Sequence, residues 1–365
     1  MLDLLLCIVA VLYAVKVVLF KVGIAKAQKI RTVQHTPSVS VIVAARDEEQ
    51  NISACLDALA QIDYPKEQFE IIVVDDQSTD RTGEIIREHC ATMTNLVPMT
   101  TSGQVDSLFG KANAVAQAID KASGEIILTS DADCLVPASW IKDTVKYYTK
   151  DVGCVCGFTL LKYRSVLSGM QSLDWAYLLS IASAGVGWKY PLSAVGNNMS
   201  FRRKAYDDVG GYVGVGPSVT EDFVLFKAIG YQTKWSVAYP LDPRTLVWSE
   251  PCAGWKEIFA QKKRWARGGI KIHFLGYLIM TIGFLMSALV LVYPWIGTHI
   301  WYWLGALGVK WIADAFLLQS PLGALRQKKL FKYYIVYELY YVLYVVLLPF
   351  VLLFTGRVIW KGRKL

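Results

Sequence analysis

Apolar residues are distributed along this chain in two distinct textures. Residues 2–20 and 273–356 are rich in Leu, Val, Ile, Tyr and Trp with few charges between them, whereas residues 38–250 alternate short apolar runs with polar breaks. The first texture is that of membrane helices and the second that of a globular domain. The run from Leu4 to Phe20 is about long enough to cross a bilayer, although Lys16 interrupts it. Lys21, Lys26, Lys29 and Arg31 follow it, and only Asp3 stands near the terminus. That order favours an uncleaved anchor, residues 1–24, with its N-terminus outside, over a cleaved signal peptide.

In the middle stretch, Val39-Ser40-Val41-Ile42-Val43-Ala44-Ala45 reads as a buried strand, followed by a helix from about Glu48 to Ala60. Ile71–Val74 repeats the pattern, with a helix from about Asp80 to His89. Then come a short strand near Asn95–Met99, a helix from about Lys111 to Lys121, a strand at Glu125–Thr129 and a helix from about Ala138 to Tyr148. Such β-α-β-α order predicts an α/β domain over residues 25–254, with a mostly parallel sheet flanked by helices. Ligands of such sheets collect beyond the carboxyl ends of the strands. Past Gly157 the pattern loosens into a helix from about Ser168 to Ala184, a turn at Gly196-Asn197-Asn198, a helix near Arg203–Asp208 and another starting at Glu221-Asp222.

Residues 255–272 mix Trp, Ile and Phe with Lys256, Lys262, Lys263, Arg264, Arg267 and Lys271, the composition of an amphipathic helix at a membrane surface. Within 273–365 three spans are expected, at about 273–296, 299–319 and 333–355. The second carries Lys310 and Asp314, four positions apart, so that they can pair on one helix face. The loop with Arg326, Lys328, Lys329 and Lys332 is expected to be cytoplasmic. With four spans the basic tail Arg357, Lys361, Arg363 and Lys364 falls outside, against the charge rule.

Composition agrees with a membrane-embedded fraction: 54% of the 365 residues are hydrophobic, 19% are charged, and the mean hydropathy is +0.35. The net charge of +8 does not point to nucleic acid, because its cations cluster beside the apolar segments. Seven cysteines form no C-x-x-C pair and four histidines lie far apart, so no zinc site is readable. The scattered thiols suit a reduced, cytosol-facing domain.

Acidic residues recur where strands leave the core. Asp131-Ala132-Asp133 ends one strand; two carboxylates one residue apart there can place oxygens on a hard cation, although Asp is also common in plain turns. Asp75-Asp76-Gln77-Ser78-Thr79-Asp80 leaves another strand and opens a helix, which is equally the look of a helix start capped by Ser78 or Asp80. Lys111 can add a cation near a nucleotide or simply face solvent. Glu221-Asp222 precedes an apolar helix, where a partly desolvated carboxylate can act as general base, or where acids merely complement the helix dipole. Asp222 is the candidate base. In Gln261-Lys262-Lys263-Arg264-Trp265, the amide, guanidinium and indole at i, i+3 and i+4 offer a hydrogen bond, an anion clamp and a stacking surface. A surface helix rich in Trp and Arg is the plain alternative.

Together, and in this order, these motifs resemble the family 2 inverting glycosyltransferases, whose membrane-bound branch includes cellulose, chitin and hyaluronan synthases, poly-N-acetylglucosamine synthases and ceramide glucosyltransferases. The resemblance covers about Pro37 to Gly269 and extends to apolar helices on both sides. It carries the acidic turn Val43-Ala44-Ala45-Arg46-Asp47-Glu48, the pair Asp75-Asp76, the D-x-D at Asp131 and Asp133, the acidic Thr220-Glu221-Asp222, and Q-x-x-R-W at Gln261, Arg264 and Trp265. It implies a GT-A fold, a Rossmann-like mostly parallel sheet with transmembrane helices at both ends, a UDP-sugar donor, and single displacement with inversion. In the implied scheme Asp222 is the catalytic base. Asp131 and Asp133 hold Mg2+ or Mn2+. Asp75, Asp76, Glu48, Lys111 and Asp131 bind nucleotide, and Gln261, Arg264, Trp265 and Glu221 line the acceptor and diphosphate region. Gln77 stands where many relatives carry Gly, and Lys262 where many polymerising members have Gln or Arg.

The expectation is a multi-pass enzyme of the cell (inner) membrane, its catalytic domain cytoplasmic, moving sugar to a lipid or lipid-linked acceptor. Four spans are few for enclosing a polymer channel without another copy or an accessory subunit. Processive polysaccharide synthesis is the alternative, and a non-catalytic nucleotide-sugar-binding membrane module the reading from another class.

Overall fold

Runs of apolar residues bounded by acids and glycines set the element order in the computed structural model, which describes residues 1–269, 273–354, 359, 360, 363 and 364. The end of the amphipathic segment expected at Lys271, and Arg357 and Lys361 of the basic tail, lie outside the described residues. In chain order come α1 (Leu2–Ala27), β1 (Val39–Ala45), α2 (Ile52–Ala60), β2 (Phe69–Asp75), α3 (Thr82–Cys90), β3 (Leu96–Thr100), α4 (Gly110–Lys121), β4 (Ile126–Asp131) and β5 (Cys134–Leu135). There follow α5 (Trp140–Val145), β6 (Val152–Cys156), β7 (Thr159–Leu161), α6 (Val166–Gly187), β8 (Met199–Arg202), α7 (Arg203–Asp207), α8 (Gly211–Val215), α9 (Glu221–Gln232), β9 (Ser236–Ala238) and β10 (Val247–Ser249). The chain continues through α10 (Trp255–Gly268), α11 (Phe274–Ile296), α12 (Ile300–Ala324) and α13 (Tyr334–Phe354).

Two compact units form. The sheet unit comprises Ala27–Leu160 with Lys189–Glu250. Its seven-stranded sheet has the order β3-β2-β1-β4-β8-β6-β9, with β1, β2, β3 and β4 parallel and β8 running against β4 and β6. Val41, Ile42, Val43, Ile71, Ile72, Val73, Val74, Ile126, Ile127 and Leu128 are all buried, as strands covered on both faces require, which is why they read as unbroken apolar runs. The register sets Ala45 opposite Asp75 and Ala44 opposite Asp131. The carboxyl ends of β1, β2 and β4 therefore share one edge. Strand order reverses between β1 and β4, the switch point where such sheets open a crevice.

Some boundaries differ from the sequence reading, and for local reasons. The helix expected from Glu48 begins at Ile52, because the backbone N–H groups of Asp47, Glu48 and Glu49 donate to Ser78 Oγ, Thr82 Oγ1 and Asp80 Oδ2 at 3.0, 2.8 and 3.0 Å. The helix expected over Ala138–Tyr148 contracts to α5. The helix expected from Ser168 starts two residues earlier, where Ser165 and Ser168 form a reciprocal capping box.

The helical unit comprises Met1–Lys26, Leu161–Trp188 and Pro251–Leu365. In it α1 buries Leu6, Val9, Tyr13, Val17 and Phe20 while leaving Leu4, Ile8, Val11, Val15 and Val18 exposed, so the helix is apolar all round. Such a helix needs a hydrocarbon solvent or more protein on its bare face. Among the described residues, three helical segments are long and apolar enough to cross a membrane: Leu2–Ala27, Phe274–Ile296 and Lys328–Val351. Of the four spans expected, the second C-terminal one, α12, is not among them: its middle carries Lys310 and Asp314, both wholly buried. The two pair as the spacing predicts, Lys310 Nζ to Asp314 Oδ2 at 2.8 Å, and Glu338 of α13 joins at 2.5 Å. The hydroxyls of Tyr13 and Tyr177 donate to Asp314 at 2.7 and 3.0 Å.

Candidate active site

Two loops interlock beyond β1 and β2. Besides the three bonds that cut α2 short, Thr79 N–H donates to Asp47 Oδ1 at 2.8 Å and Arg81 N–H to Glu49 Oε2 at 3.1 Å. Asp47 and Gln77 adopt left-handed backbone, φ 48° and 59°. The pair at the end of β2 divides in two. Asp75 Oδ1 accepts Ser78 N–H at 2.9 Å, a turn contact, and Asp80 accepts Thr82 N–H at 3.0 Å, so part of the motif does what a helix start needs. Asp76 is buried. It accepts Thr101 Oγ1 at 3.1 Å, and the Arg46 guanidinium donates to its carbonyl at 2.7 Å.

At the end of β4, the Lys111 ammonium at the start of α4 bonds Asp131 and lies 3.9 Å from Glu221 Oε1. Burial works against its charge, but Asp131, Glu221 and Asp222 together hold it well above the usual lysine value. Lys111 thus ties the end of β4 at Asp131 to the start of α9 at Glu221, far apart in sequence. Asp133 accepts Ser249 Oγ at 3.0 Å, a contact made by the pairing of β5 with β10. Burial, then Asp131 and Glu48, push its carboxyl up to about 6.

Asp222, at the start of α9, accepts Gly196 N–H at 2.5 Å and Phe223 N–H at 2.7 Å. Burial raises its carboxyl above the usual aspartate value, partly offset by Lys111 and the two backbone donors. The Gly196 turn is itself fixed. Thr129 Oγ1, two residues before Asp131, donates to Gly196 O at 2.6 Å. Asn198 donates to Phe158 O and Thr245 O, each at 2.9 Å, and accepts Trp140 Nε1 at 2.9 Å. A Cβ on Gly196 would stand 2.9 Å from that of Asp222, so the carboxylate fits only beside glycine.

The structure thus gathers Glu48, Lys111, Asp131, Asp133, Glu221 and Asp222 at the edge that also carries Asp75 and Asp76. Gln261, Arg264 and Trp265 lie on α10 of the helical unit, all half-buried, with the Trp265 ring edge-on to Trp175 at 5.3 Å. Arg46, Thr101, Thr129, Gly196, Asn198 and Ser249 escaped the sequence reading. Gly196-Asn197-Asn198 gave a signal as a turn, and Arg46 only as part of the acidic turn after β1.

Asp131 and Asp133 offer only hard oxygen donors, and among the described residues no group of three His, Cys, Asp or Glu side chains could close a shell around a metal ion. A divalent cation here would take one or two carboxylates and complete its coordination with water and phosphate oxygens, the habit of Mg2+. The carboxyl of Asp133 is raised first by burial and then by the neighbouring acids Asp131 and Glu48, both of which a bound cation would offset. The residues fit such an ion. The neighbouring thiols of Cys55 and Cys134 are pushed up by burial and stay protonated.

Comparison with known proteins agrees with this architecture. A family model described as Glycosyl transferase family 2 matches residues 40–210, and one described as Glycosyl transferase family group 2 matches residues 126–356. The chain is 30% identical over 249 residues to the beta-monoglucosyldiacylglycerol synthase of Nostoc sp. (strain PCC 7120), covering 66% of this chain and 50% of that protein. It is 26% identical over 255 residues to the poly-beta-1,6-N-acetyl-D-glucosamine synthase of Staphylococcus epidermidis, covering 66% and 56%. The chain spans about half the length of the curated relatives it matches. Among solved structures, the mannosyltransferase PcManGT from Pyrobaculum calidifontis, in complex with GDP-Man and Mn2+, superposes with a TM-score of 0.63 at 19% identity, covering 97% of this chain and 99% of that one. The shared fold is GT-A.

Proposed function

The chain belongs to glycosyl transferase family 2, and from that premise we propose that it is a membrane-bound, metal-dependent, inverting enzyme moving a sugar from a UDP-sugar to a lipid or lipid-linked acceptor at the cytoplasmic membrane surface. The observation that carries the reading is the Lys111 bridge, which brings the D-x-D acid Asp131 and the acids Glu221 and Asp222 around one ammonium. Asp222 takes the proton of the acceptor hydroxyl as its oxygen attacks the anomeric carbon. The bond from that carbon to the diphosphate oxygen breaks, and its electron pair leaves with the nucleotide. A carboxyl raised by burial is the stronger base for this work. Asp131 and Asp133 would hold Mg2+ or Mn2+, which supplies Lewis-acid neutralisation of the leaving diphosphate. Asp75, Asp76 and Glu48 grip base and ribose, Lys111 adds positive charge near the phosphates, and Glu221, Gln261, Arg264 and Trp265 serve acceptor and diphosphate.

A lipid acceptor is favoured by the 30% identity to a protein named as a glucosyldiacylglycerol synthase and by the presence, among the described residues, of helices suited to span a membrane. The likeness to a poly-N-acetylglucosamine synthase keeps a processive product as the second reading. The test is to incubate purified full-length chain with diacylglycerol micelles and labelled UDP-glucose, UDP-N-acetylglucosamine or GDP-mannose, with and without Mn2+. One organic-extractable product supports the proposal; a ladder of long products overturns the lipid acceptor, and transfer indifferent to chelation overturns the metal.

A further inference from the structure

Inside the helical unit, α6 presents three residues at i, i+3 and i+4 to the segment that carries Gln261 and Arg264. Gln171 bonds both backbone groups of Cys252, its amide donating to the carbonyl and accepting the N–H at 3.0 Å each. One turn on, Asp174 is ion-paired with Lys262, and the two side chains are only 5% and 8% exposed. Trp175 meets the ring of Trp265. The Lys262 ammonium also lies 4.8 Å from the ring centres of Trp265 and of Tyr344 on α13. A buried ammonium with one carboxylate and two aromatic faces has few alternative positions, because any other would leave a charge unpaired out of water. Lys262 and Trp265 turn one face of α10 inward, and the register of that contact sets where the adjacent Gln261 and Arg264 stand.

We propose that Lys262 and Asp174 are positioning residues for acceptor use: their pair locks α10 in the rotation and register at which Gln261 and Arg264 meet the acceptor and diphosphate. This rests on the functional reading above and deepens it. It also gives a purpose to Lys262, which departs from the Gln or Arg of many polymerising relatives.

The experiment uses full-length protein in detergent with UDP-glucose, Mn2+ and diacylglycerol micelles, comparing Lys262→Met, Asp174→Asn, Lys262→Arg and Arg264→Ala. Lys262→Met and Asp174→Asn should each raise the acceptor KM about tenfold while Mn2+-dependent UDP binding stays unchanged, and Lys262→Arg should largely retain the native value. Hydrogen exchange in residues 255–268 should quicken in the first two variants and not in the third. If Arg264→Ala raises the acceptor KM while Lys262→Met and Asp174→Asn do not, the pair has no positioning role although the acceptor reading stands. If Arg264→Ala changes nothing, the acceptor reading itself fails. Unchanged exchange in Lys262→Met overturns the lock whatever the substrate.

Discussion

The two units bury charge in opposite ways. In the helical unit the charges balance: Lys310 lies between Asp314 and Glu338, Lys16 stacks 3.7 Å over the Tyr13 ring whose hydroxyl serves Asp314, and Lys262 has Asp174 to itself. At the sheet edge they do not. Asp131, Glu221 and Asp222 share one ammonium, while Asp133 is crowded by Asp131 and Glu48. A balanced set out of water is a fastening, since its charges satisfy one another. An acidic excess that the fold keeps, at the expense of its own stability, is fit for a cationic ligand and a proton. Charge balance therefore separates structure from chemistry where burial alone cannot.

The sharpest way to break this comparison is to remove one charge from each unit. Asp222→Asn keeps the shape, although its amide oxygen can accept from only one of the two backbone donors, Gly196 or Phe223; turnover should fall about a thousandfold with donor binding largely retained, read by UDP release and calorimetry. Unchanged turnover would remove Asp222 from the mechanism. Lys310→Met leaves two buried carboxylates facing each other and should cost about 3–5 kcal/mol of stability, read by thermal or denaturant unfolding, while activity per folded molecule persists. If instead Lys310→Met abolished turnover without destabilising, the balanced cluster would have to be reclassified as chemistry.

A finer cut is geometric. Gly196→Ala would set a methyl 3.1 Å from Asp222 Oδ2, and should lower kcat about 10- to 100-fold without unfolding the protein. Gly254→Ala, whose Cβ meets nothing within 4 Å, is the matched control and should be silent. The pH profile refines the same point. As the proposed base, Asp222 has to be ionised to take a proton, and burial holds its carboxyl above the usual range. The rate should therefore decline on acidification at a pH above the ordinary aspartate value of about 4. Lys111→Met removes a charge that favours ionisation and should move that limb to still higher pH.

How much of this was legible in the sequence follows the same divide. Strand runs such as Val39–Ala45 and the acids that end them announce themselves locally, because burial on both faces demands unbroken apolar residues and the chain must then turn polar. The α/β order and the GT-A resemblance followed from that. What stayed hidden depends on partners far apart in sequence: Thr129 holding Gly196, Ser249 reaching Asp133, Glu338 completing Lys310, Gln171 and Asp174 gripping α10. No periodicity encodes such pairs. The surroundings of Lys310 and Asp314 in α12 stayed hidden for a related reason, since the helix's own sequence reveals their mutual spacing but not Glu338, Tyr13 and Tyr177.

The smallest expected effect concerns strain at the sheet edge. Gln77 holds φ 59° in the loop after β2, facing Asp47 at φ 48° in the loop after β1. For a residue with a side chain the left-handed region costs roughly 1–2 kcal/mol, and glycine escapes that cost while gaining freedom in the unfolded chain worth up to about 1 kcal/mol. The terms nearly cancel. Gln77→Gly should therefore raise stability by no more than about 1 kcal/mol, read as a small upward shift in denaturant midpoint, and leave the donor KM unchanged. A donor KM rising severalfold in this variant would mean that the Gln77 side chain itself meets the nucleotide. In that case the position where relatives favour glycine has become, in this chain, a contact that discriminates between bases.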